Sequence, residues 1–212
     1  MDLLTQLLYG ARVSLSVGVL AVLVAGTVGT VLGTAVGYAG GLADEVTMRF
    51  VDILLAFPGL LLAIFLTAVF GASFAGLIFA LSATAWVSYA RLARAQALTL
   101  RRRDFVTAAR AAGASGPRIV IRHLLPNLLG PIVVQATFGL PGTILAEAAL
   151  SFLGLGVPPG TPSWGSLVEQ GAAHLLDAPH VALIPGAVIA ITVLGFNFIG
   201  EAVRERLDPR GG

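Results

Sequence analysis

Long apolar runs, separated by short polar stretches, dominate this chain. Five runs approach or exceed the ~20 residues a helix needs to cross a bilayer's hydrocarbon. They are Val13 to Tyr38, Phe50 to Phe70, Ala75 to Ala90, Leu128 to Phe152 and Val181 to Gly200. The first is uncharged after Arg12. The second holds Asp52 near one end, with Phe57, Pro58 and Gly59 inside, and the fourth holds Glu147. The pattern predicts an all-α polytopic membrane bundle of about five transmembrane helices, one domain over residues 1–212.

Between the third and fourth runs lies a polar stretch, Arg91 to Asn127, with eight arginines and one acid, Asp104. By the positive-inside bias this 91–127 loop is cytoplasmic. Three further arginines, from Arg204 onward, place the C-terminal tail on the same side. Two predicted helices separate the two, so the assignments agree. The loop from Gly154 to His180 has no arginine and is assigned outside. Counting back puts residue 1 outside as well. Met1 to Arg12 is too short and too polar to span. The pattern therefore predicts either a further helix ahead of this chain or a partner that assists insertion, and the missing helix is the simpler reading.

Composition supports lipid as the main solvent. Hydrophobic residues make up 57%, charged residues 11%, and the mean hydropathy is +0.91. A soluble domain carries about 25% charged residues. The chain has no cysteine, which removes disulfides and thiolate metal sites. All 13 basic residues are arginine. Without lysine there is no phosphate-binding loop of the P-loop type and no Schiff-base chemistry. If ATP drives this protein, another polypeptide binds it. The pI near 9.7 comes from arginines clustered as topology signals, so nucleic acid is not an expected partner.

The cytoplasmic stretch has legible local chemistry. Asp104 is suited to cap a helix start. Phe105 to Ala112 are mostly helix formers, and Gly113 is suited to the stop that follows a helix. Ser115 is suited to cap a second helix, with Pro117 in its first turn. Phe105, Ala108, Ala109 and Ala112 share one small, smooth face at 3.6 periodicity. A helix of about two turns is unstable alone in water, so something must dock it.

This stretch resembles the cytoplasmic signature loop of permease subunits of bacterial ATP-binding-cassette importers. The family pattern is Glu-Ala-Ala, three residues, Gly, nine residues, Ile, one residue, Leu-Pro. Thr107, Ala108, Ala109, Gly113, Leu125 and Pro126 fall at that spacing. Thr107 replaces the usual Glu and His123 the usual Ile. The ending Arg122 to Asn127 is similar to the dipeptide, oligopeptide and nickel branch. So are Leu7 to Leu15, Met48 to Asp52, Leu55 to Pro58, Ile144 to Gly156, Pro162 to Gly165 and Leu207 to Arg210. The resemblance covers essentially the whole chain, with the first family helix lacking.

The resemblance implies a type I importer permease fold in the bacterial inner membrane. It implies no enzymatic activity and no cofactor in this chain. It implies four partners besides membrane lipid: a second permease, two ATPase subunits and an extracytoplasmic solute-binding protein. The coupling helix and ATPase contact would comprise Asp104, Phe105, Thr107, Ala108, Ala109, Arg110, Ala112 and Gly113. The solute would be a peptide or nickel. Another importer branch, for amino acids, metals or sugars, is the alternative.

Other residues carry two readings each. Arg101, Arg102 and Arg103 are topology signals that also meet anionic lipid head groups, or they touch the ATPase. Glu147 is a gate or pathway residue, or a structurally paired acid. Asp52, near a span end, reads as structural. Pro58, the run Gly139 to Gly142 and Pro185 with Gly186 interrupt helices, as plain kinks or as transport sites. Gly139 and Pro141 are the pathway candidates among them. Ser166 and Glu169 form a capping-box pattern, and Trp164 is suited to an interface anchor. His123, His174 and His180 are too scattered for a metal site. An ion-driven secondary transporter would show inverted repeats and midplane acids, and neither is visible. An intramembrane protease would need a histidine or paired aspartates within the spans.

Overall fold

The computed structural model describes residues 2–207. The predicted family match over Asp208 to Arg210, and the third arginine of the tail, lie outside these residues. Every regular element in the described residues is helical. They are α1 (Leu3–Ala39), α2 (Gly41–Leu55), α3 (Gly59–Phe70), α4 (Phe74–Leu100), α5 (Asp104–Ala111), α6 (Gly116–Ile119), α7 (Leu125–Phe152), α8 (Trp164–Ala172) and α9 (His180–Leu207). A π turn, Val120–Leu124, joins α6 to α7 without a break.

Four continuous helical segments are long and apolar enough to cross a membrane: α1, α4, α6 through α7, and α9. The fifth predicted span differs. α2 and α3 meet at an elbow of 90°. α3 has 12 residues, about 18 Å of helix against ~30 Å of hydrocarbon, so it crosses only together with α2. Pro58 causes the elbow. It has no N–H to give the helix, and its ring keeps Phe57 out of helical geometry. Pro58 itself sits at ψ 121 as the residue ahead of α3.

The other interruptions are not breaks. α7 runs unbroken through Pro131 and through Gly139 to Gly142, and α9 runs through Pro185. Membrane helices tolerate proline where neighbours and hydroxyls serve the freed backbone groups. Here the Thr143 hydroxyl donates to the Gly139 carbonyl at 3.0 Å. The first helix is also longer than the apolar run: Leu3 to Arg12, too polar to span, extends the same rod outward.

α1 and α4 form the tightest pair. Gly29, Gly33 and Gly37 recur every four residues and lie on one α1 face. A Cβ at Gly33 would strike the Ala90 carbonyl oxygen, and one at Gly37 would lie 2.9 Å from that of Arg94. The facing residues Ala90, Ala93 and Ala97 are buried and small. Small residues let membrane helices approach until backbones touch, where packing and not hydrophobicity holds them. Ser82 adds a hydrogen bond to the Ala21 carbonyl at 3.2 Å. Near the C-terminal end of α4, Asp44 of α2 and Arg94 form a two-pronged ion pair, with Nη2 2.7 Å from Oδ2.

Three apolar clusters fill the bundle. One joins Val22, Tyr89, Ile144 and Trp164, a second Val17, Leu77, Leu81 and Leu150, and a third Ala93, Val106, Ile119, Leu124 and Leu128. Outward faces stay apolar, as Phe65 on α3 and Phe198 on α9 illustrate. That surface suits hydrocarbon, not water.

The outer loop differs from expectation in two ways. The capping box exists, but it is Ser163 with Ser166 and starts α8 at Trp164, three residues before the predicted position. Trp164 is no interface anchor. Its indole is buried and donates to the Leu7 carbonyl at 3.2 Å.

Candidate functional site

The polar stretch between α4 and α7 is built around α5. Asp104 opens the helix but does not cap it; Arg103 holds the cap position, with no side-chain hydrogen bond. Asp104 instead places its acid in the first turn, where the helix dipole favours it. The far end closes as the glycine predicts. Gly113 adopts φ +81. Its N–H bonds the Arg110 carbonyl, and the Ala114 N–H bonds the Ala109 carbonyl, both at 3.0 Å. This is the Schellman arrangement, which satisfies carbonyls a helix end leaves free. The chain then turns into α6, with Ser115 at the cap position but no side-chain bond, and Pro117 in the first turn.

Val106 fastens α5 to the bundle. It is fully buried against Ala93 and Ala97 of α4, with Ile119, Leu124 and Leu128. The opposite side faces out. Phe105, Thr107, Ala108, Arg110, Ala112 and Gly113 are exposed and Ala109 half-buried. The smooth face expected from the alanines is thus the presented face. Beside it lies a recess of about 370 Å³ lined by Ala109, Ala112, Gly113, Ala114, Arg118, Arg122 and His123. The His123 ring sits 6.4 Å from that of Phe105.

Two arginines tie this element to α1. Arg101 donates to the Gly37 carbonyl at 3.0 Å and the Tyr38 carbonyl at 3.4 Å. It thereby serves carbonyls at the end of α1, where a cation also meets the negative end of the helix dipole. Arg110 stacks over the Tyr38 ring, 5.7 Å from its centre, and reaches the Tyr38 hydroxyl at 3.4 Å. Sequence reading missed Val106, Tyr38 and the Arg101 contacts. Only the apolar Val106 among alanines and arginines gave a signal.

The pathway candidates lie elsewhere. Glu147 is fully buried near the C-terminal end of α7, where its Oε1 accepts from Ser151 at 2.7 Å. Ser14 of α1 accepts from the Trp164 N–H at 3.1 Å. Gly139 packs against the buried Tyr89 hydroxyl, and Pro141 is buried within α7. Asp52 is exposed on α2, before the elbow. Among the described residues, no three acids or histidines come together to hold a metal.

A bundle of these spans carries one short helix, packed on it through Val106 and closed by Gly113. The model of the family of binding-protein-dependent transport system inner membrane components matches residues 29–211. The chain belongs to this family. A Brucella suis biovar 1 protein described as a peptide transport system permease is 46% identical over 209 residues, 99% of this chain and 70% of that protein. The glutathione transport system permease protein GsiD of Escherichia coli O1:K1 is 43% identical, again over 99% of this chain and 69% of the relative. Among solved structures, the inward-facing MetNI methionine transporter superposes with TM-score 0.73 at 19% identity, covering 98% of this permease and 100% of that chain. An amino acid transporter solved with histidines gives TM-score 0.64 at 16% identity, over 97% and 99%. The permease shares their fold at these low identities.

Proposed function

We propose that this permease forms half of an importer's pore, beside a second permease subunit, in a bacterial inner membrane. Its α5 docks in a groove of one of two separate ATPases. An extracytoplasmic binding protein delivers the solute, which the named relatives point to as a peptide. The observation that carries this reading is the geometry of α5. One side is locked to the bundle by Val106, and the other leaves Phe105, Ala108 and Ala112 exposed for a partner. An eight-residue helix held at this angle is a handle. Closure of the ATPases on ATP would push it, and the bundle would switch its access from one side to the other. The absence of lysine is consistent with ATP bound elsewhere.

Ala108→Arg tests the docking. Ala108 is exposed, so a long charged side chain leaves the fold intact but blocks close approach. The variant should still insert and pair with the second permease. It should lose the ATPases on co-purification, and ATP-driven uptake should fall at least about tenfold. Full retention of ATPases with normal uptake would refute the docking. Uptake of labelled dipeptide, set against nickel and free amino acids, tests the solute class.

A further inference from the structure

Polar side-chain links from both ends of this permease converge on α1. It has 37 residues, about 55 Å of helix, so it overhangs a ~30 Å core at both ends. No proline or π turn interrupts it. The other long connection from the cytoplasmic element, through α6 and α7, contains a π turn and two internal prolines. Each of those removes or shifts backbone hydrogen bonds and leaves a helix more compliant. α4 backs α1 through the glycine face.

Both ends of α1 are gripped by side chains of separate elements. At the cytoplasmic end, Arg101 bonds the Gly37 and Tyr38 carbonyls, and Arg110 of α5 stacks on the Tyr38 ring. At the outer end, Trp164 of α8 donates its indole N–H to the Leu7 carbonyl and its backbone N–H to Ser14. Gly10 adds close approach there: a Cβ would lie 3.3 Å from the Trp164 backbone. We infer that α1 is the stiff member that carries displacement of α5 to the outer helix α8, with Tyr38 and Trp164 as positioning residues at its two ends. This rests on the ATPase docking proposed above. The elements that α1 joins are those that a push from below must move and those that shape the outer face.

The test uses the whole transporter, with both permeases, the ATPases and the binding protein, in nanodiscs and proteoliposomes. Tyr38→Phe keeps the ring beneath Arg110 and should hold uptake within about twofold of the parent. Tyr38→Ala removes the grip, so ATP hydrolysis should persist while solute moved per ATP falls about tenfold. Equal loss of hydrolysis and uptake, or no loss of either, would overturn the inference. The chain has no cysteine, so pairs of spin labels can be placed freely. The distance between labels at Leu8→Cys and Arg103→Cys should stay fixed between nucleotide-free and ATP-bound states. ATP-driven uptake together with a variable Leu8–Arg103 distance overturns the rod alone. Solute uptake by the parent transporter without ATP overturns the docking reading and the rod with it.

Discussion

Gly113 and Gly33 are both glycines, but the structure requires each for a different reason. Gly113 has φ +81 and open space around its α-carbon. A side chain there meets no neighbour but strains the backbone by about 1–2 kcal/mol. Asparagine tolerates that conformation and valine does not. Gly113→Asn should therefore keep near-normal uptake, whereas Gly113→Val should fray the end of α5 and uncouple hydrolysis from uptake. Paired ATPase and transport assays on the two variants check this. The role of Gly113 was legible in sequence because a C-terminal glycine stop is a local property. Asp104 was placed correctly in α5 but not as its cap, because the cap falls at whichever residue leaves helical geometry first. Trp164 was misread for a further reason. A tryptophan near a span end suits the interface, and only tertiary structure reveals a buried acceptor such as the Leu7 carbonyl.

Among elements, the α1–α4 pair shows what hydropathy cannot. Both helices score as apolar spans, and that score is the same whether a helix faces lipid or another backbone. The repeat of Gly29, Gly33 and Gly37 was present in the sequence, but its partner face lies some 60 residues later. Gly33→Leu forces the side chain against the backbone of Ala90. Overpacking of this kind costs about 1–3 kcal/mol. The variant should show a lowered unfolding temperature in detergent. A neutral result would mean that the helices do not meet this closely. The elbow between α2 and α3 was half legible. Pro58 marked the place, but the angle depends on what α3 packs against, and α3 lies along α4. At Gly139 to Gly142 and at Pro185 the helices stay continuous, and at the first of these a threonine hydroxyl serves the Gly139 carbonyl.

For the whole molecule, charge placement predicts orientation independently of packing. Arginine-rich loops belong inside and the arginine-free loop before α9 outside. Glu169→Cys on α8 and Arg102→Cys ahead of α5 are both exposed, in a chain with no other thiol. A membrane-impermeant maleimide should label Glu169→Cys in intact spheroplasts. It should label Arg102→Cys only after lysis. The reverse pattern would invert the topology and remove α5 from the cytoplasm. The spans and the short helix closed by Gly113 were thus readable from one sequence, since each rests on local composition or spacing. The grips at the two ends of α1 were not, since each joins residues far apart in the chain.

Glu147 also constrains how the protein is made. An acid held inside α7 is costly for any helix released alone into lipid. α1 leaves the ribosome more than a hundred residues earlier and is already in the bilayer when α7 follows. Ile144 of α7 packs against Gly18 of α1, so a translocon that hands α7 directly onto a waiting α1 would keep that carboxyl group from acyl chains. The order of the genes' codons and the order of helix assembly then become the same order, and moving α1 to the end of the chain would strand α7 during biogenesis.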